Sequence, residues 1–169
     1  MATLTRLANA HLITTDRGSG RPLVPPQRAV SPRSLPVLTL NREVQRHLRY
    51  LPRFVCALLQ TPSSNHLPDI AQRLTRRHQV FQEPISLETL TDLARAHCYL
   101  RPFFYSARDA CLRDSLRLIE FLATRRIAAT LIIGVRTQPF AAHAWVESAG
   151  YVLNDQASRV NQFTPLVLI

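Results

Sequence analysis

The sequence predicts an α+β fold, with a helical N-terminal half and a C-terminal half that packs one helix against an antiparallel sheet. Three observations lead there. Apolar residues recur at three- and four-residue spacing in successive stretches between positions 41 and 123, the pattern of helices that bury one face. The β-branched run from Ala129 to Val135 has the length of a buried strand. Two short apolar stretches then flank Ser148-Ala149-Gly150, a hairpin connection. The length of 169 residues suits one domain, or a compact catalytic domain behind a small appendage, and 46% apolar with 19% charged residues is a globular composition.

Residues 1–40 form a short Pro/Gly-rich segment, with five prolines from Pro22 to Pro36 and a ribbon expected over 12–24 around Gly18-Ser19-Gly20. The domain proper is expected over 41–169. Its first helix, over 41–60, carries Val44, Leu48, Leu51, Val55 and Leu58 and is interrupted at Pro52, with Cys56 as a small buried hydrophobe beside the stripe. A second, from about Pro68 to His78, turns Ile70, Leu74 and Val80 inward. Ser86 is the expected N-cap of a third, which buries Leu87, Leu90, Leu93 and Ala94; His97 and Cys98 at its end have no spaced partner ligands and read as structural. Leu112, Leu116, Ile119 and Ala123 mark a fourth helix. Strands follow over 129–135, 142–147 and 151–153.

The formal net charge is +10, and all 21 basic residues are Arg, which removes Schiff-base and phosphate-loop lysine chemistry. Such a charge attracts acidic peptides, anionic membranes or nucleic acid. The Arg residues are scattered in ones and twos without aromatic interleaving, so no nucleic-acid partner is expected. Cys56, Cys98 and Cys111 are an odd number without a close pair, which suits a reducing cytoplasm rather than a disulfide framework or a zinc site. No signal peptide or bilayer-length apolar run is evident, so a soluble cytoplasmic protein with no bound metal or cofactor is expected.

Cys111 sits where the fourth helix should begin, and a helix N-terminus favours the thiolate. With Asp109 as N-cap the cysteine takes the second helical position. With Ser106 as cap and Asp109 completing a capping box, it lies a turn deeper. From the cysteine alone an inert core residue is the better reading. A three-residue hairpin loop with Gly150 left-handed would pair Glu147 with Tyr151, Trp145 with Leu153 and His143 with Asp155, whose Cβ atoms would then lie about 5 Å apart. A two-residue loop would put Asp155 on the other face. The residues alone leave open a triad or a coincidence of a buried histidine with a turn-capping aspartate.

The stretches ARDACLRDSLRLIEFL and ATLIIGVRTQPFAAHAWVESAGYVLND resemble the lasso-peptide B proteins, bacterial leader peptidases of the transglutaminase-like cysteine-protease superfamily. The likeness covers about residues 100–169 and is strongest at GVRTQPF and HAWVE. It implies a transglutaminase-like, papain-like core, with Cys111 as nucleophile, His143 as base and acid, Asp155 as its orienting partner and the Cys111 N–H as an oxyanion donor. It implies as partners a precursor peptide bound through its leader, an asparagine-synthetase-like cyclase that uses ATP to close the macrolactam, and a leader-recognition element, either a separate protein or residues 1–40, where ITTDRGSGRPLVPP is faintly similar. Trp145, Arg136 and Gln138 are candidate substrate contacts. Trp145 is alternatively a core residue, and Arg136 and Gln138 alternatively form the turn with Pro139. Two other readings of the chain are a non-catalytic basic protein that binds peptide or nucleic acid, and a thiol acyltransferase or amidase with the same triad.

Overall fold

The computed structural model describes residues 31–35, 47–61, 67–78, 86–106 and 110–169. The expected ribbon at 12–24 and the inward Val44 and Val80 lie outside these residues, as does most of the 1–40 segment.

Helix α1 spans Leu51–Gln60 and buries Phe54 and Ala57, with Tyr50 buried just ahead of it. Two sequence expectations are corrected here. Pro52 opens the helix rather than interrupting it, because in the first turn its missing N–H has no partner to lose. The buried face is also turned by one residue, about 100°: Phe54 points inward, Val55 and Leu48 are exposed, and Cys56 is exposed rather than buried. The larger ring at 54 removes more apolar area from water than a valine would. Helix α2, Leu67–His78, buries Ile70 and Leu74 as the spacing requires. Helix α3, Leu87–Leu100, begins at the expected cap, where Ser86 Oγ accepts from the Thr89 N–H at 3.2 Å. It buries Leu90, Leu93, Ala94, His97 and Leu100, whereas Leu87 is exposed in the first turn. A 3₁₀ turn at Arg101–Phe103 leads on. Helix α4, Cys111–Ala123, is the central element, with Leu116, Leu118, Ile119, Phe121 and Leu122 all buried.

The sheet has five strands: β1 (Arg33–Ser34), β2 (Thr130–Thr137), β3 (Phe140–Ser148), β4 (Tyr151–Val152) and β5 (Thr164–Leu168). Their order is β1-β4-β3-β2-β5, with β1 parallel to β4 and every other pair antiparallel. Leu131, Ala144 and Val146 join the helices in the main core. Ile132, Trp145 and Val152 form a second cluster with Val160 and Phe163, which come from helix α5 (Ala157–Val160) and the turn after it. The sequence did not reveal β1, α5 or β5. The first two are too short to show a period, and Pro165 argues against a strand at β5 except at an edge, which is where β5 lies, beside a register shift at Ile133/Gly134.

The β3–β4 connection also differs from expectation. Ser148 pairs with Tyr151 and Glu147 with Val152, so the loop has two residues, Ala149 and Gly150. Both have positive φ, 50° and 80°, as the two-residue turn that matches strand twist requires.

Gly134 faces His143 across the β2–β3 ladder. A Cβ there would lie 2.8 Å from Trp145 Cη2, 3.0 Å from the Thr164 carbonyl oxygen and 3.1 Å from Phe163 Cβ. Trp145 is fully buried and cannot swing away. Gly134→Ala is therefore expected to lower stability by about 1–3 kcal/mol through overpacking. A urea unfolding midpoint equal to that of the parent would contradict this.

Candidate active site

Cys111 is the first residue of α4, after Ala110 at the N-cap position, whose side chain makes no cap bond. It thus sits one position earlier than the sequence suggested. Asp109, the expected cap, lies outside the described residues. The cysteine is half-buried and free. Its hydrogen bond with His143 is the largest influence on the thiol and draws its pKa below the ordinary value; burial opposes this, and the Ala144 and Leu112 backbone N–H groups and the charge of His143 reinforce it. Cys98 shows the contrast, since burial pushes its thiol up.

His143 lies on β3. Its Nε2–H donates to Asp155 Oδ2 at 2.6 Å, with each side chain 12% exposed. Since Asp155 occupies Nε2, Nδ1 is the ring nitrogen left for the Cys111 sulfur. The bonds to Asp155 and then to Cys111 raise the imidazole pKa to about 9 against the opposing effect of burial. Burial works against ionisation of Asp155 as well. The hydrogen bonds from His143 and the Gln156 N–H, with the charge of Arg159 at 3.6 Å, outweigh it and hold the carboxyl below its usual range. A lowered thiol beside a raised imidazole is the electrostatic condition for a thiolate–imidazolium pair.

The two-residue hairpin should have carried Asp155 to the wrong face. Regular pairing, however, stops at Val152. The Leu153 N–H still donates to the Val146 carbonyl at 3.0 Å, but the Val146 N–H is taken by the Asn154 side-chain oxygen at 3.0 Å. The backbone is thereby free to bend, and the next residue, Asp155, reaches His143. The expected contact is present by a different route. Sequence reading missed Asn154. Its signal was an asparagine directly after a strand, a residue whose amide imitates a backbone group.

The remaining candidates separate. Trp145 is fully buried, donates from Nε1 to Glu147 Oε1 at 2.8 Å and stacks on His143 with ring centres 5.9 Å apart. It backs the imidazole as a core residue and has no surface to offer a substrate. Arg136 lies on β2, not in a loop, while Gln138 is in the exposed turn that joins β2 to β3. Both line a groove of about 380 Å³ with Val135, Thr137, Gln162 and Thr164. The Arg136 guanidinium lies 5.4 Å from the Phe163 ring, which also packs against the His143 ring at 5.3 Å and the Trp145 ring at 6.3 Å. Phe163 thus stands between an arginine of the groove and the imidazole. Among the described residues no cluster of three or more His, Cys, Asp or Glu is placed to hold a metal ion, and no helix is long and apolar enough to cross a membrane.

One relative, the microcin J25-processing protein McjB of Escherichia coli, is 56% identical over 48 residues; the match spans 28% of this chain and 23% of the relative's length. No solved structure matches the chain. The model of the transglutaminase-like superfamily matches residues 63–168, which include Cys111, His143 and Asp155. With that match over more than half its length, the chain belongs to the transglutaminase-like superfamily.

Proposed function

We propose that this chain is a cysteine endopeptidase of lasso-peptide biosynthesis, which removes the leader from a ribosomally made precursor in the bacterial cytoplasm. The observation that carries the reading is the linked arrangement of Cys111 at a helix N-terminus, His143 beside it and Asp155 at 2.6 Å from His143 Nε2. The similarity to a protein named for processing microcin J25 supports the substrate class.

Cys111, Asp155 and His143 divide the work as follows. The Cys111 thiolate attacks the carbonyl at the end of the leader, and the backbone N–H at the start of α4, which has no intrahelical acceptor, donates to the oxyanion. His143 gives its proton to the departing amine of the core peptide as the C–N bond breaks. A thioester remains on Cys111. Water then attacks it, His143 takes the proton, and the leader leaves with a free carboxylate while the thiolate is restored. Asp155 holds the imidazole in one orientation throughout.

The freed amine is the group that an asparagine-synthetase-like cyclase, using ATP, would join to a side-chain carboxyl. The leader is gripped by residues 1–40 or by a separate recognition protein. Arg136 and Gln138 contact the substrate along the β2 groove. Arg136→Ala is accordingly expected to raise KM by about tenfold, the loss of one charge-assisted contact worth about 1.4 kcal/mol, with kcat nearly unchanged. A fall in kcat at constant KM would contradict that role.

The test is to incubate the purified chain with the precursor encoded beside its gene, with and without the recognition protein, and to weigh the products. Leader and core separated by one hydrolysed bond support the reading. A leader joined to an added amine marks an acyltransferase with the same triad, and an intact precursor under both conditions rejects peptidase activity.

A further inference from the structure

Asp114 follows Cys111 by three residues on α4 and is buried. Its Oδ1 accepts from the Tyr105 hydroxyl at 2.9 Å, and its Oδ2 from Arg101 at 2.9 Å and from Asn154 Nδ2 at 3.3 Å. Asn154 Nδ2 also lies 3.1 Å from Ser115 Oγ, and Asn154 Oδ1 takes the Val146 N–H. Both ends of the amide are committed, so its orientation is fixed. In a continued ladder the Val146 N–H would bond to the carbonyl of Leu153, the residue whose own N–H already bonds to Val146. The Asn154 side chain takes the place of that carbonyl.

From this arrangement we infer that Asn154, anchored on Asp114, is a positioning residue for the active site. It ends the β4 pairing, forces the bend that delivers Asp155 to His143, and ties that bend to the helix that begins with Cys111. Nucleophile and orienting carboxylate are thus registered to each other through Asp114 and Asn154, which touch neither substrate nor imidazole. Asp155 faces His143 from β3 and Arg159 from α5, Asp114 faces Arg101, Tyr105 and, at 4.0 Å, His97, which burial pushes down to about 4, and the charges of both carboxylates also reach the Cys98 thiol of α3. None of these replaces the bond from Asn154 to the Val146 N–H.

The inference rests on Cys111 and His143 acting as the reactive pair, and its test needs no substrate. Alkylation of Cys111 by iodoacetamide is followed from pH 5 to 10 by mass spectrometry of its peptide, which separates it from Cys56 and Cys98. Near-ultraviolet circular dichroism checks that each protein is folded. Asn154→Ala is expected to slow alkylation at pH 6 by about tenfold, one unit of upward shift in the thiol, with no change at pH 10. Asn154→Asp alone, which sets like charges against each other, shifts the profile the same way. Combined with Asp114→Asn, which exchanges donor and acceptor between the two positions, it recovers to within about threefold of the parent, a difference under 1 kcal/mol. A folded Asn154→Ala with the parental profile overturns the inference, as does an exchanged pair no better than Asn154→Asp alone. If the parent itself alkylates as an ordinary thiol, the functional reading falls with it, and that result is distinct from a shifted parent with unmoved variants.

Discussion

Cys111→Ala should leave a folded protein whose cleavage of the precursor is lower by about 10⁴-fold or more, since the loss of a nucleophile removes the covalent route altogether. His143→Ala should fall nearly as far. The largest influence on the lowered Cys111 pKa is its hydrogen bond with His143, and in the proposed reaction the same imidazole would supply the proton for the leaving amine. The two losses should not add, because each disables the same unit. Rates from single-turnover cleavage of the two variants and their double variant check this. Substantial cleavage by either single variant contradicts the assignment, as does a double variant slower than both by the product of their effects.

Asp155→Asn comes next in size, with an expected loss of about 10²- to 10⁴-fold and a characteristic change in pH dependence. In the parent, activity should rise with pH as the thiolate forms, at a pH below that of an ordinary thiol, and fall as His143 loses its proton near 9. The Asp155 hydrogen bond is the largest cause of that raised imidazole value. Without it the alkaline limb should move to lower pH, while the weakened imidazolium lets the thiol limb move up, so the window narrows from both sides. Stability follows the same linkage. A pKa raised in the folded state gives stabilisation that is fully present below the unfolded histidine value of about 6.5 and is lost as pH rises through about 9. Asp155→Asn should remove most of that alkaline loss, as seen in thermal melts across pH 6 to 10. An unchanged pH profile in the variant would mean that Asp155 does not set the imidazole.

Much of this site was legible in the residues. Ser86 as a cap, the Ile70 and Leu74 face and the Leu116 and Ile119 face follow from local chemistry and helical period, and the helices formed where those signals fell. The stripe of Leu51, Val55 and Leu58 gives α1 the wrong phase, because the larger Phe54 ring takes the buried face, and Pro52, in the first turn, starts the helix and does not break it. The hairpin is the instructive case. By strand register only a three-residue loop pairs His143 with Asp155 and a two-residue loop separates them, yet the loop has two residues and the pair still meets. Strand register was the wrong instrument, since the contact is made after the ladder ends and depends on Asn154, a side chain standing in for a backbone group. Substitutions of that kind depend on tertiary partners such as Asp114, forty residues earlier, which no local pattern announces. Trp145 and Arg136 divide for a similar reason. Alternation placed Trp145 on the same face as His143, but only the packing of Phe163 and Val160 over that face shows it to be closed to solvent.

The central claim, that Cys111 takes the leader's acyl group, is most directly tested by acid-quenching the chain with its precursor within the first turnover and weighing the intact protein and its peptides. The expected result is an adduct equal to the leader less one water, localised to Cys111 and released by hydroxylamine. A precursor cut without any adduct on Cys111, or an adduct that persists in Cys111→Ala, would contradict it.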